Sequence, residues 1–565
     1  MTSSTRTTFA WLCALTLAGQ GAVSWAQSPS AGNPLDQLPQ TLDRTPAGGG
    51  VQVEVAPAPA PAATADAMAR QIVPRRFDIE GVKSVPFADI ASLFAPHVGK
   101  PVSVSRLVEL ARQATAIYQR DGWGLSFVYV PAQLFADGVV RVVAVEGHVA
   151  DVRVEGDPGR SAARLEEIAA RIRAEKPLRR ETFERYSALL GRLPGLTVEA
   201  GVPLPASTDG AAVMTLKVTR KVFDANVATD LRRPHPRAVA TATLNDTLTP
   251  GGQLSVSALV VGRDDEKLQA IQYRQAIGSE GLMLKASFST YRGDPDGTLG
   301  LTSPLDRRTT NLRRELSALY PLRLGPEHSL VLSGGFYSVD NSETTNDPAT
   351  GDFIADDTRV RAAFAQLAWQ HTQPRLSRSA SVFVAHGLDG NGAGSFVRSN
   401  VPGVAGPGTA RVDFTRALFE AREARRIGER WGIVVSAAAQ ISPHELPTTE
   451  RMSFGGARFG RAYAPGETAG DQGWGFGFEV NRIVALPAND WVRQLQPYVL
   501  LEAARAYGER GAPVPAQLGS ASLGLRLADL KHYLLDFSVS RAVGDRPLEN
   551  PGRDPRFVVQ FSFRL

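Results

Sequence analysis

The sequence predicts a transmembrane antiparallel β-barrel of about sixteen strands preceded by two small α+β domains. Three observations predict it. From about Val222 to the carboxyl terminus, short segments alternate apolar and polar residues with a period of two. Ahead of them, two consecutive stretches share a β-α-α-β-β layout. The chain also opens on an apolar leader, and after it no run of eighteen or more residues is both apolar and free of charge.

Residues 1–26 read as a secretory signal peptide. Arg6 supplies the positive charge, Phe9 to Val23 is mostly apolar, and Ser24-Trp25-Ala26 places small residues where a signal peptidase cuts, after Ala26. Cys13, the only cysteine, lies inside this leader. The mature chain is therefore expected to hold no thiol, which excludes disulfide frameworks, thiol catalysis and cysteine metal sites. An exported chain without a membrane helix is either soluble or a closed barrel, because only helices and barrels satisfy their backbone polar groups in lipid.

With 565 residues, 43% of them hydrophobic, the chain is long enough for several domains and can bury a core. Its net charge of +5 is spread out rather than gathered in a Lys/Arg run, which argues against a nucleic-acid partner. Residues 27–70 form a Pro/Ala/Gly-rich linker that includes Ala56-Pro57-Ala58-Pro59-Ala60-Pro61. Within it, Leu35 to Leu42 is a candidate for a short amphipathic helix, limited by Pro39.

The first α+β unit is expected over 75–147. It comprises a strand at Phe77 to Val82, a short helix at Ala88 to Phe94, a longer helix at Ser103 to Arg120, and strands at Leu125 to Val130 and Val139 to Val145. Asp121-Gly122 stops the longer helix. The second unit is expected over 148–221, with strands at Val149 to Val154, Leu196 to Ala200 and Val213 to Val218, and helices at Ala162 to Ala174 and Glu181 to Leu193.

The barrel is expected over 222–565. Leu282, Leu284, Ala286 and Phe288 alternate with Met283, Lys285, Ser287 and Ser289. Tyr533, Leu535, Phe537 and Val539 alternate with Leu534, Asp536, Ser538 and Ser540. A spanning strand needs roughly 9–11 residues, so 344 residues hold sixteen strands with their connections; fourteen or eighteen fit almost as well. A large soluble β-protein shows the same alternation, but its inner faces carry bulky residues; here the second face is repeatedly Ser, Asp, Lys, Arg and Gly. The final segment, FVVQFSFRL, puts Phe557, Val559, Phe561, Phe563 and Leu565 on one face. With the alternation near Phe223, it is expected to close the barrel against the first strand and leave no open edge.

This arrangement resembles the Omp85 superfamily and, more narrowly, the two-partner secretion transporters, whose two units are POTRA domains. Phe77-Asp78-Ile79-Glu80-Gly81, Tyr118-Gln119-Arg120-Asp121-Gly122-Trp123, Val130-Pro131-Ala132-Gln133, Asp137-Gly138 and Val145-Glu146-Gly147 resemble the landmarks of a first POTRA domain. In the barrel, Phe454-Gly455-Gly456 through Gly460-Arg461-Ala462-Tyr463 resembles the Val-Arg-Gly-Tyr/Phe motif of the sixth extracellular loop. Gly470-Asp471-Gln472-Gly473, with Glu479 beyond it, resembles the family's stretch on the carboxyl-terminal side of that motif. The resemblance implies that this loop folds into the lumen and that its arginine pairs with an acidic residue of the wall. Glu502 stands in the place of the aspartate of a Phe-x-Asp-x-Gly motif. Two departures are visible: Gly460 and Ala462 replace the usual Val and Gly, and Glu502 and Ala504 replace Asp and Gly. An Arg461–Glu502 fork of two parallel hydrogen bonds is the expected lock; the bland reading is a solvated loop arginine.

Enzyme readings find little support. The eight histidines look scattered, and no His-Glu-x-x-His helix, Gly-x-Ser-x-Gly elbow or phosphate-binding loop is present. No cofactor, metal or catalytic residue is expected. The resemblance implies an outer-membrane pore that passes one large secreted partner protein, without nucleotide hydrolysis. That partner would bind through the POTRA domains, which face the periplasm. It further implies contact with outer-membrane lipid and, during biogenesis, with the barrel-assembly machinery. In the family an amino-terminal helix often plugs the pore, a role for which Leu35 to Leu42 is the candidate. The alternatives are an insertase of barrel proteins, a passive porin or a receptor. Exposed sheet edges can add an extended chain; the strands after Gly122-Trp123 and after Gly195-Leu196 are the open candidates.

Overall fold

A computed structural model describes residues 54–56, 68–231, 236–262, 266–294, 305–486, 491–507 and 517–565. The expected leader and the candidate helix Leu35 to Leu42 lie outside the described residues. The first described strand is β1 (Glu54–Ala56), within the Pro/Ala/Gly-rich stretch.

The first α+β unit holds β2 (Gln71–Ile72), β3 (Arg76–Glu80), helix α1 (Phe87–Phe94), β4 (Val102–Ser103), helix α2 (Val104–Arg120), β5 (Phe127–Tyr129) and β6 (Val139–Val145). In α2, Leu107, Leu110, Ala111, Ala114 and Tyr118 fall on one stripe and are buried against the sheet. The Ser103 side chain caps its start by accepting the Arg106 N–H (3.2 Å). The sheet runs β3-β6-β5, so β5 is an edge.

The second unit holds β7 (His148–Gly156), helix α3 (Ala162–Ala174), helix α4 (Arg180–Leu190), β8 (Leu196–Pro203) and β9 (Ala211–Arg220). Its sheet runs β1-β8-β9-β7. β1 lies parallel to the end of β8, Glu54 opposite Gly201 and Ala56 opposite Pro203, and covers that part of the β8 edge. The two units are joined firmly. The Arg180 N–H donates to Gly122 O (2.7 Å), and the Arg179 guanidinium sits 4.8 Å from the Trp123 ring centroid.

The remaining strands are β10 (Phe223–Asp230), β11 (Arg237–Asn245), β12 (Gly252–Val261), β13 (Lys267–Ile277), β14 (Leu282–Gly293), β15 (Asp306–Leu324), β16 (His328–Asn346), β17 (Phe353–Gln373), β18 (Leu376–Gly387), β19 (Gly394–Ser399), β20 (Gly406–Pro407), β21 (Thr415–Ile427), β22 (Trp431–Ile441), β23 (Met452–Phe454), β24 (Thr468–Gly470), β25 (Gln472–Arg482), β26 (Val484–Ala485), β27 (Gln494–Tyr507), β28 (Gln517–Ala528), β29 (Tyr533–Ala542) and β30 (Arg556–Arg564). Sixteen long strands close an antiparallel barrel. Short β19, β20 and β26 extend its wall, while β23 and β24 form a separate hairpin.

Period-two alternation sorts the wall. On β14, Leu284 and Phe288 are exposed on the outer face while Lys285 is buried inside. On β30, Phe557 is exposed, as is Leu565 just beyond it, and Val558, Gln560 and Ser562 are buried. A greasy exterior around a polar interior suits a wall standing in lipid. No helix among the described residues is long and apolar enough to cross a membrane, which says nothing of a barrel.

The seam that closes the barrel is short. β10 pairs with β30 over five residue pairs, Asn226–Asp230 against Gln560–Arg564, whereas β10 pairs with β11 over eight. Val227 opposes Phe563 and Thr229 opposes Phe561; Phe557 and Val559 pair with β29 instead, opposite Val539 and Phe537. Leu565 adds its N–H to Ala225 O (2.9 Å).

The second unit docks on the near end of the barrel. Asp246, in the turn after β11, accepts the Ser161 N–H (3.0 Å) and hydroxyl (2.6 Å). Glu280, after β13, accepts the Tyr186 hydroxyl (3.0 Å) and pairs with Arg171 (3.2 Å). The barrel's far-end loops, including the sixth, are thus held opposite the α+β units.

Candidate functional site in the barrel lumen

The far-end loop joining β22 to β25 turns back into the barrel. Met452, Phe454, Ala462 and Tyr463 are buried and join an apolar cluster with Tyr337, Val360, Phe364 and Phe383 of the wall. Strand β25 explains how it fits. Its sequence from Gly473 is Gly-Trp-Gly-Phe-Gly-Phe, with Trp474, Phe476 and Phe478 exposed on the outer face. The glycines face inwards. A Cβ on Gly475 would lie 2.4 Å from the Phe459 ring, and one on Gly473 would lie 2.8 Å from the Phe454 ring. Side-chain-free positions on one strand are therefore the room that the loop occupies.

The tip of the loop is Gly460 to Tyr463. Gly460 has φ +152°, and a Cβ there would meet Leu518 at 3.1 Å and Gly455 Cα at 3.2 Å. The Arg461 backbone N–H donates to Glu502 Oε2 (2.8 Å), and the Ala462 N–H donates to Ser520 Oγ (3.1 Å). The Tyr463 hydroxyl donates to Asp545 O (2.8 Å) and accepts the Gly519 N–H (3.3 Å). The Ala462 methyl, in place of the usual glycine, is accommodated and buried.

The Arg461 guanidinium does not form the expected fork with Glu502. Glu502 takes the backbone N–H, and Nη1 turns to the Tyr498 hydroxyl, Asp536 Oδ2 (3.4 Å) and Ser538 Oγ (3.4 Å). The physical reason is the wall's own charge arrangement. Asp536 lies on β29 and also accepts the Tyr498 hydroxyl (2.7 Å) and the Arg526 Nε–H (3.2 Å). A fork does form, but between wall residues: Arg526 Nη1 and Nη2 reach the two Glu479 oxygens, each at 2.7 Å. The Tyr498 ring is flanked by both guanidinium groups, with Arg526 Cζ 4.0 Å and Arg461 Cζ 5.7 Å from its centroid.

Asp471 serves the base of the loop rather than its tip. It accepts the Leu446 N–H (2.9 Å) and pairs with Arg451 Nε (2.8 Å). A second anchor was not foreseen from sequence. Glu450 accepts Arg416 Nε–H (2.9 Å) and the Tyr337 hydroxyl (2.7 Å), while Gln440 bridges Arg416 (3.1 Å) and Glu450 O (3.0 Å). Arg416 and Glu450 are nearly fully buried. No local signal marks them, because their partners come from strands far apart in the chain.

The arrangement is a polar lumen filled by a loop that is fastened through charge-assisted bonds.

The first unit's landmark residues also acquire roles. Glu146 accepts the N–H groups of Lys83 (2.7 Å) and Ser84 (2.6 Å) and the Tyr118 hydroxyl (3.1 Å). Burial and then the Glu146 charge push the Tyr118 hydroxyl well above the ordinary tyrosine range. Gln133 accepts the Arg141 N–H and donates to Arg141 O, both at 2.9 Å, and so braces β6. A Cβ on Gly81 would lie 2.1 Å from Ala144 O, which explains that glycine.

Residues 72–147 match the family model described as "POTRA domain, ShlB-type". That match covers the first α+β unit. The solved structure of "CdiB from Escherichia coli" superposes with a TM-score of 0.64 at 18% identity, covering 90% of this chain and 93% of that one. "CdiB from Acinetobacter baumannii" does so at 0.56 and 13% identity, with the same coverage. Among curated proteins, "Heme/hemopexin transporter protein HuxB" of Haemophilus influenzae is 24% identical over 145 residues. That match spans 25% of each chain, about a quarter of the relative's length. The second α+β unit repeats the β-α-α-β-β order of the first.

Proposed function

We propose that this protein is an outer-membrane pore that recognises one large partner exoprotein in the periplasm and passes it to the cell surface. Both α+β units act as POTRA domains on the periplasmic side. The single observation that carries the reading is the sixth far-end loop, folded into a polar sixteen-strand barrel and fastened there by the Arg461–Asp536–Arg526–Glu479 cluster. The cluster holds the loop in the resting state, and translocation requires it to yield. No step hydrolyses a nucleotide; folding of the partner outside the cell prevents its return.

Edge β5 of the first unit recruits the partner by strand addition. On the rival edge, β8, the chain's own β1 already occupies Gly201–Pro203. The test is to delete the gene and compare secreted proteins. Loss of one large exoprotein supports the pore. General loss of outer-membrane barrels would identify an insertase instead.

A further inference from the structure

Three metal-ligating side chains meet at the near rim of the barrel, away from the lumen. His328 opens β16, and His371 lies directly opposite it near the end of β17. The rings stack with centroids 4.8 Å apart and an interplanar angle of 14°, and their Nδ1 atoms are 2.8 Å apart. Glu327, in the turn before β16, brings its carboxylate to the same point, with ligand atoms of all three residues within 4.8 Å of one another. Histidines that look scattered in the sequence, 43 positions apart, are made neighbours by the pairing of two long strands. The expectation of no metal site was drawn from local spacing, which cannot see this contact.

The surroundings hold the cluster in shape. The Thr372 N–H donates to Glu327 O (2.7 Å), and Gln373 Nε2 donates to the Glu327 carboxylate (3.3 Å). The Trp369 ring stacks beside His371 at 6.3 Å and 12°. An outer-shell donor on the carboxylate and an aromatic wall on the imidazole are what orient ligands for a metal.

We propose that Glu327, His328 and His371 bind a divalent transition-metal ion of the Zn2+ class. Two imidazole nitrogens and one carboxylate oxygen form a donor set suited to zinc, nickel or copper, with one position left for water. Calcium or magnesium would require a shell of oxygens that the three residues do not supply. Around a tetrahedral ion the two Nδ1 atoms open from 2.8 Å to about 3.4 Å, a small rotation of exposed rings.

The position gives the ion a consequence. The preceding turn residue, Gly325, faces α4: a Cβ there would lie 3.9 Å from Glu184 Oε2. Leu324 is buried in the apolar core of the second α+β unit. A bound ion clips the turn between β15 and β16 to β17, and so stiffens the place where that unit leans on the barrel.

The test uses the full mature chain, folded in detergent and carrying no histidine tag. Calorimetric titration with Zn2+ in excess Mg2+ is expected to show one ion per chain at micromolar Kd. Co2+ as a probe is expected to give the visible absorption of a nitrogen/oxygen-ligated site. His371→Gln and Glu327→Gln should each weaken binding by about tenfold or more. The double variant His328→Ala/His371→Ala should abolish binding while keeping the heat-modifiable gel mobility of the folded barrel. The proposal is overturned if the folded wild type binds no Zn2+, or if the folded double variant still binds one equivalent.

Discussion

Replacing Arg461 by alanine removes a guanidinium and leaves its backbone N–H on Glu502 in place. Of the guanidinium's three contacts, the one to the Tyr498 hydroxyl is short, and those to Asp536 and Ser538 are long, both 3.4 Å. A hydrogen bond to a charged group contributes about 1.5–3 kcal/mol and the long contacts little, so the docked loop loses about 2 kcal/mol. That raises the undocked fraction about 30-fold. A single thiol reads it out. The chain's only cysteine, Cys13, lies in the expected leader, and Ala464 is buried within the docked loop. In an Ala464→Cys background, the rate of labelling by a maleimide should rise about 30-fold on Arg461→Ala. The geometry also fixes a pattern of couplings. Arg461→Ala and Tyr498→Phe should couple by about 1 kcal/mol, whereas Arg461→Ala and Glu502→Ala should add within about 0.5 kcal/mol. Larger coupling to Glu502 than to Tyr498 would refute the reasoning.

Gly475→Val should push the Phe459 ring aside and expose the same thiol, with the barrel still folded on a semi-native gel; unchanged labelling would show that β25 does not set the loop's room. Lys285→Met should lower the barrel's stability to heat by about 1.5–3 kcal/mol, because it removes the Nζ donor 2.6 Å from the buried Glu315 carboxylate, which keeps Arg313 (3.5 Å) and Ser317 (3.0 Å) as close partners. The double variant Lys285→Met/Glu315→Leu should recover most of that loss in the same melt. Burial raises the Asp529 carboxyl, but the N–H groups of Tyr533, His532 and Lys531 outweigh it and lower it to about 2. A depressed carboxylate stabilises above its ordinary value and stops doing so as pH falls through the folded value. The gap in unfolding midpoint between wild type and Asp529→Asn should therefore be full at pH 7 and vanish between about 4 and 2.

Period and punctuation made the barrel and both α+β units legible, because a lipid-facing wall imposes strict alternation on every strand. Helix α3 begins and ends at the expected residues, and α2 and β6 differ by one residue at most. Helix α4 ends at Leu190, short of the expected Leu193, where Gly191 and the Leu193-Pro194 pair break the ladder. The loop's position was signalled by glycines and Arg461. Its partners were not, since Tyr498, Asp536 and Arg526 sit on three different strands and only the barrel's register brings them together. The glycine ladder of β25 was visible as Gly-Trp-Gly-Phe-Gly-Phe, yet its meaning depends on what lies inside. Charge alone suggested a fork between Arg461 and Glu502; competition among three carboxylates and two guanidinium groups decided otherwise.

The strand β1 has a thermodynamic consequence for the sheet edge that it covers. It is tied to the first unit through residues 57–67, so it meets β8 at an effective concentration of up to about millimolar without any diffusion. An external strand can take β8 only by displacing this tethered competitor, and its apparent affinity is divided by one plus the self-pairing constant. Three paired residues make a weak competitor. Weak short segments therefore lose to β1. The tethered strand acts as a built-in guard that turns passing peptides away from this end of β8 and leaves recruitment to β5.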